Sequence, residues 1–282
     1  MEPPFRKDDA FLNDVRDALS RHSRKLWWLG QSGFLVVNRG RAIVLDPYLS
    51  DSLTRKYAGT DKPHIRLTER VADPAALGAL GVIDAITSSH NHTDHLDPDT
   101  LQPLLATNPA AKLVIPAANR GFVIERLGTG VASRLVELND GTSATIAGIQ
   151  FHGVAAAHPT VERDNSGRCK FLGYVLRWGG LTIFHSGDTL LHDGLVPSLL
   201  PFKIDLALLP INGDRPERRV AGNLDGRQAA TLANNVGARL VAPCHFDLFE
   251  FNTASPDEFV AECQRLRQPC RVLENGEGCE LE

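Results

Sequence analysis

No run of about 18 consecutive apolar residues occurs in this 282-residue chain, so nothing in it reads as a membrane-crossing helix. The first ten residues, Met1 to Ala10, are charged and carry Pro3 and Pro4, without the apolar core of a secretion signal. Cysteine is scarce: five residues, odd in number and without CxxC spacing, give neither a disulfide framework nor a thiolate metal knuckle. A reduced protein of the cytoplasm is the expectation. No serine sits in a Gly-x-Ser-x-Gly elbow, so a side-chain nucleophile is not expected. Basic charge is not in excess: 30 Lys and Arg against 34 Asp and Glu give a formal charge of −4 and a pI near 6.2. That balance argues against nucleic acid as a partner, and no apolar helix points to a membrane. A small-molecule substrate is the remaining expectation, and a homo-oligomer is neither required nor excluded.

What is present is a 43% hydrophobic content, enough for a sizeable core. With no Gly/Ser linker and no repeat, residues 24–282 read as a single domain after an N-terminal extension of residues 1–23. Lys25 to Leu29, Gly33 to Asn38 and Arg41 to Leu45 read as strands separated by glycine-containing turns. The polar segment from Asp46 to Asp73 reads as a solvated loop or an active-site lid. Strands at Val82 to Ser88, Lys112 to Ile115 and Arg134 to Leu138 then alternate with helices starting at Asp73-Pro74, Asp97-Pro98 and Ala118. Four β-rich runs follow: Ser143 to Ile146, Ile149 to Ala155, Leu172 to Trp178 and Leu181 to His185. Short strands at Leu206 to Leu209 and Leu240 to Ala242 interleave with helices at Arg227 to Asn235 and Asp257 to Arg267. This order predicts an α/β fold of two packed sheets with helices on both outer faces. Trp27-Trp28 reads as core packing, one of the pair facing outward by strand alternation.

The most informative segment is His90-Asn91-His92-Thr93-Asp94-His95. Three imidazoles and a carboxylate within six residues fit neither helical spacing nor strand alternation. A loop folded around metal would bring them together. Imidazole nitrogen and carboxylate oxygen suit zinc, and also manganese or iron. Three more candidates stand at strand ends, where an α/β layer presents functional groups. His158 follows the apolar run Gly153 to Ala157, Asp188 closes the turn His185-Ser186-Gly187-Asp188, and His245 follows Leu240 to Cys244. With the histidine loop they complete a ligand set for two metals. Cys244 reads as a buried thiol.

The run from His90 to His95, followed in order by His158, Asp188 and His245, resembles the metallo-β-lactamase superfamily of hydrolases over residues 24 to about 275. Leu26-Trp27-Trp28-Leu29-Gly30, Asp46-Pro47, His185-Ser186-Gly187-Asp188 and Pro243-Cys244-His245 with Asp247 resemble the branch that contains L-ascorbate-6-phosphate lactonase. The resemblance implies a four-layer αββα sandwich. It also implies that His90, His92 and His158 hold one divalent ion, that Asp94, His95 and His245 hold a second, and that Asp188 bridges both. Zinc or manganese is expected, with iron also compatible. Water on such ions has its pKa lowered from 15.7 toward ~7. The implied enzyme uses a dimetal-bound hydroxide to open a lactone or ester of a small, anionic, sugar-phosphate-like substrate. Asp94 is the candidate catalytic residue, orienting the nucleophile and shuttling its proton besides binding metal.

Around these ligands, His185 and Ser186 are candidates to orient them. Arg163, Lys170, Arg215, Arg218 and Arg219 are candidates to bind a phosphate, and His192 and Asn212 to face the substrate. His152 and His64 carry weaker signals. A phosphodiesterase of the same fold is the alternative, since the same metals serve both reactions. A non-catalytic metal-binding module is disfavoured because all seven ligand positions are filled. A diiron redox role is disfavoured by His92, where such proteins carry Glu, and by the lack of room for a flavin domain. The β-lactam-cleaving branch is matched only through the metal ligands.

Overall fold

Strand alternation sorts the opening apolar residues onto two faces, and both faces need cover. In the computed structural model, which describes residues 1–281, β1 (Arg24–Gly30), β2 (Gly33–Asn38) and β3 (Arg41–Leu45) form an antiparallel meander. Leu26, Trp28, Phe34, Val36, Ile43 and Leu45 belong to one apolar cluster, and Trp27, Leu29, Leu35, Val37 and Val44 to another. Both sets are buried. The first packs against a second sheet, and the second is covered by helices.

Strands β4 (Ile83–Thr87), β5 (Lys112–Pro116) and β6 (Leu135–Leu138) extend this sheet in parallel. Strand β13 (Gly278–Glu280) pairs antiparallel with β1, giving the order β13-β1-β2-β3-β4-β5-β6. Parallel neighbours require crossovers, which α3 (Pro74–Gly78), α4 (Pro98–Thr107) and α5 (Arg120–Leu127) supply. The second sheet comprises β7 (Ser143–Ile146), β8 (Ile149–Ala155), β9 (Leu172–Trp178), β10 (Leu181–His185), β11 (Leu206–Pro210) and β12 (Leu240–Cys244). Its order is β12-β11-β10-β9-β8-β7, with only β10-β11-β12 parallel. Helices α6 (Leu195–Leu199), α7 (Gly226–Asn235) and α8 (Asp257–Leu266) complete the layers on that side. The result is the expected αββα sandwich.

Local chemistry sets the helix starts. Asp73 accepts hydrogen bonds from the backbone N–H of Ala75 and Ala76 with Pro74 at the first position, which fixes α3 where the sequence placed it. Asp225 and Gln228 form a reciprocal capping box that starts α7 at Gly226. Helix α1 (Asp8–Ser20) lies in the residues that the sequence left as an extension without assigned structure. It buries Phe11, Leu12, Val15 and Ala18. The outward-facing Trp27 is thereby covered: Phe11 meets it edge-on at 6.4 Å between centroids, and its indole N–H donates to Asp14 at 2.7 Å. Trp28 faces inward and stacks on Phe246 at 4.4 Å.

The segment Asp46 to Asp73 contains α2 (Ser52–Lys56) and is more ordered than a solvated loop. Tyr48 and Leu53 form a small apolar cluster with Leu248 and Phe249. Arg66, within this segment, is buried and donates to the backbone carbonyls of Ser50 and Thr68.

Candidate metal centre

Four chain segments end at the same place. The histidine loop follows β4, His158 follows β8, Asp188 follows β10 and His245 follows β12. Two groups of potential ligands result, His90 with His92 and His158, and Asp94 with His95, Asp188 and His245. Within each group the ligand atoms lie within 4.8 Å of one another. Asp188 Oδ1 is 3.3 Å from His95 Nε2, and its Oδ2 is 3.3 Å from His245 Nε2 and 3.7 Å from His158 Nε2. Asp94 Oδ2 is 3.7 Å from His95 Nε2 and 3.6 Å from His245 Nε2. Ligand atoms about 2.1 Å from a tetrahedral ion stand roughly 3.4 Å apart, so these separations suit a shared divalent cation. Asp188, reaching histidines of both groups, occupies a bridging position.

The residues fit metal on a second ground. His90 Nε2 and His95 Nε2 are buried and have no hydrogen-bond partner among the described residues. Buried polar atoms are rarely left so, and an unpartnered ring nitrogen in each group suits a bound cation. The opposite ring nitrogens are tied down. His95 Nδ1 is 2.7 Å from Asp46 Oδ2, and His158 Nδ1 donates to the Gly222 carbonyl at 2.9 Å. Ser89 Oγ lies 3.0 Å from His90 Nδ1. Each Nδ1 contact leaves Nε2 free to coordinate.

Asp46 is held in its turn by the Ser89 backbone N–H and the Thr87 hydroxyl, the latter at 2.7 Å. Its pKa is below the ordinary value: burial opposes ionisation most strongly, and the hydrogen bond from His95, the neighbouring His185 and His95 rings and the bond from Ser89 together outweigh it. The sequence noted Asp46-Pro47 only as a turn. Its place at the end of β3 was the available signal, the same one that marked Asp188.

Protonation differs between the two groups. Burial lowers the pKa of His90, His92 and His158, so these rings are neutral and ready to bind. For His245 burial acts the same way, but Asp188 and Asp94 override it and raise the pKa to about 9. His95 is raised well above its ordinary value, burial again being outweighed by the same two carboxylates. Asp94 and Asp188 are lowered, His95 and His245 overcoming the cost of burial. In the metal-free chain, protons on His95 and His245 thus balance the carboxylates.

The other proposed site residues divide. His185 is buried, its Nε2 2.9 Å from the Ser32 carbonyl, and it touches no ligand directly. Ser186 donates to the Gly187 carbonyl within its own turn. Gly187 has φ +58°, and a Cβ there would lie 2.4 Å from that of Ser89, so only glycine lets this turn approach the histidine loop. Asn212 is buried behind the cavity and donates to Asn252, which lines it. Arg163 pairs with Asp140 and Lys170 with Glu162, and neither lines the cavity. His192 faces a separate surface cleft, its Nε2 3.0 Å from the Ala155 carbonyl. Arg218 donates to the Asn212 and Thr253 carbonyls and to Asn252, and Arg219 pairs with Asp61.

The sequence did not single out Gln31. It stands in the β1–β2 turn with φ +51°, and its Nε2 donates to Asp94 Oδ2 at 2.8 Å and lies 3.0 Å from His245 Nε2. Of the candidate ligands, His92, Asp94, His158, Asp188 and His245 line an open cavity of about 470 Å³ together with Gln31, Lys56, Tyr57, Phe122 and Arg126, whereas His90 and His95 lie behind it.

The beta-lactamase superfamily domain family matches residues 41–246, which include every ligand named above. A UPF0173 metal-dependent hydrolase of Myxococcus xanthus is 28% identical over 263 residues, covering 91% of this chain and 82% of that protein. The structure of Igni18, a metallo hydrolase from Ignicoccus hospitalis, superposes with a TM-score of 0.65 at 23% identity, over 92% of this chain and 99% of that one. A possible metal-dependent hydrolase from Veillonella parvula gives a TM-score of 0.71 at 14% identity, over 92% and 100%. The αββα fold, the strand-end ligands and the family match together show that the chain belongs to the metallo-β-lactamase superfamily.

Proposed function

We propose that this protein is a metal-dependent hydrolase that opens a lactone or ester of a small anionic substrate, with two divalent ions, zinc or manganese, at the His/Asp centre. The observation that carries this reading is the pair of ligand groups joined by Asp188 on the wall of an open cavity. His90, His92 and His158 would hold one ion, Asp94, His95 and His245 the other, with Asp188 between them. When bound, such ions lower the pKa of water and polarise a carbonyl oxygen. The chain supplies the rest. Asp94 is the partly exposed carboxylate of the centre, its side chain 16% accessible from the cavity, while Asp188 is buried. Asp94 is therefore placed to accept a proton from attacking water and return it to the leaving oxygen. Gln31, donating to Asp94, fixes that carboxylate in position. Asp46 and the Gly222 carbonyl hold the rings of His95 and His158.

The test is turnover by metal-loaded protein of L-ascorbate 6-phosphate, of simple aryl esters and of bis(4-nitrophenyl) phosphate. Ester or lactone turnover on the order of 1 s⁻¹, lost in Asp94→Ala, is expected. Turnover of the phosphodiester alone, or of none of the three, would contradict the proposal.

A further inference from the structure

Beside the metal ligands the cavity is walled by Leu53, Tyr57, His64, Phe249 and Phe251. The rings are packed together: Tyr57 stacks on His64 at 4.2 Å, and His64 meets Phe249 and Phe251 edge-on at 5.2 and 4.5 Å between centroids. Burial among these rings lowers the His64 pKa, so it presents a neutral ring. The ring faces of such a wall favour hydrocarbon or aryl surface leaving water.

Two cations line the same cavity without a carboxylate partner among the described residues. Lys56 Nζ lies over the Tyr57 ring at 5.1 Å from its centroid. The Arg126 guanidinium lies over Phe122 at 4.4 Å and spends only Nη1 on protein, donating to the Asn91 and Leu96 carbonyls. Its Nε and Nη2 have no hydrogen-bond partner among the described residues. Of the cations that the sequence offered, Arg163, Lys170 and Arg219 are each spent on an acidic neighbour, and Arg218 is held by the Asn212 and Thr253 carbonyls and by Asn252. Bound divalent ions would offset the charges of Asp94 and Asp188, leaving the cavity attractive to an anion.

We infer that the substrate is an anionic ester or lactone with an apolar acyl or aryl body, the body lying on the Tyr57–Phe249–Phe251 wall and the anionic substituent held by Lys56 and Arg126. This rests on the hydrolase reading above and narrows it, because the body is hydrocarbon and not sugar. Hydrolysis adds one water across the acyl C–O bond, giving an acid and an alcohol from an ester and one hydroxy acid from a lactone.

The experiment uses metal-loaded protein and two matched pairs. The substrates are 4-nitrophenyl hexanoate and its ω-carboxylated counterpart, 4-nitrophenyl hydrogen adipate. The binding probes, read by fluorescence, are 8-anilinonaphthalene-1-sulfonate and the neutral N-phenyl-1-naphthylamine. Wild type is expected to prefer the charged member of each pair. Lys56→Glu should reduce both preferences roughly fivefold or more, the scale of losing and then reversing a solvent-facing charge. Lys56→Met should reduce them less, and added salt should weaken the wild-type preference. Glucose 6-phosphate is expected not to displace the sulfonate probe at concentrations where 4-phenylbutyrate does. Preferences unchanged by both Lys56 variants would overturn the anion site. Displacement by glucose 6-phosphate as readily as by phenylbutyrate would overturn the apolar body. If neither ester is turned over while the probe preferences behave as stated, the binding inference stands and the hydrolase reading fails.

Discussion

At the residue scale, two classes of side chain behave differently on metal loading, and pH separates them. His245 has its pKa raised to about 9 from 6.5, so in the metal-free protein its charged form stabilises the fold fully below about 6.5. That contribution is lost as pH rises through about 9. Asp94 and Asp188, lowered from 3.8, contribute above that value and lose their effect in acid. Metal-free protein is therefore expected to melt at a lower temperature at pH 9.5 than at pH 7, and the metal-loaded form to lose less over that interval. Metal uptake near pH 7 should release protons, measurable as a buffer-dependent heat of binding. Asp46→Ala removes the acceptor that orients His95. It should weaken metal binding at the second group by about 10–100-fold, read by chelator competition. The seven candidate ligands stand out in the sequence because four crowd one loop and three follow strands. Gln31 and Arg126 do not, since nothing in their local sequence separates them from ordinary turn and helix-surface residues, and Lys56 is legible only as one cation of a segment read as a solvated loop or a lid. Arg163 and Lys170 looked suitable from their proximity to His158, but Asp140 and Glu162 hold them elsewhere.

At the scale of elements, α1 shows what sequence reading passed over. Phe11, Leu12, Val15, Ala18 and Leu19 recur at helical spacing, but the flanking charge and prolines of the N-terminus hid the stripe. The helix covers Trp27, so it stabilises the sheet that carries the histidine loop. Phe11→Ala should cost about 3–5 kcal/mol in urea unfolding, as for other buried aromatic truncations. A cost below about 1 kcal/mol would show α1 to be dispensable. The β10–Asp188 turn is the other element under tight constraint. Gly187→Ala meets both a positive φ and the Ser89 side chain, so it should destabilise by about 1–3 kcal/mol and weaken metal binding together. Helix starts at Asp73-Pro74 and Asp97-Pro98 were readable because capping and proline are local devices, whereas α7 begins one residue before the expected Arg227, at a capping box the sequence reading did not identify.

For the molecule as a whole, the order of strands and helices carried the two-sheet architecture, since short β runs interleaved with helices leave few ways to bury both sheet faces. What it did not carry was the lining of the cavity, which draws on α2, α5 and the segments after β11 and β12 and so depends on tertiary packing. The metal centre joins both sheets: the histidine loop comes from the first, and His158, Asp188 and His245 from the second. Metal should therefore stabilise the whole domain, by about 2.7 kcal/mol per ion at a free concentration 100 times the dissociation constant. The central claim is that two ions held by these seven residues are required for hydrolysis. Its most direct test is the rate of 4-nitrophenyl hydrogen adipate hydrolysis as metal-free protein is titrated with Mn²⁺ or Zn²⁺. No turnover is expected without metal, and the rate should level off at two equivalents per chain, with Asp188→Ala inactive throughout. Full turnover by metal-free protein, or a rate independent of added metal, would contradict that claim.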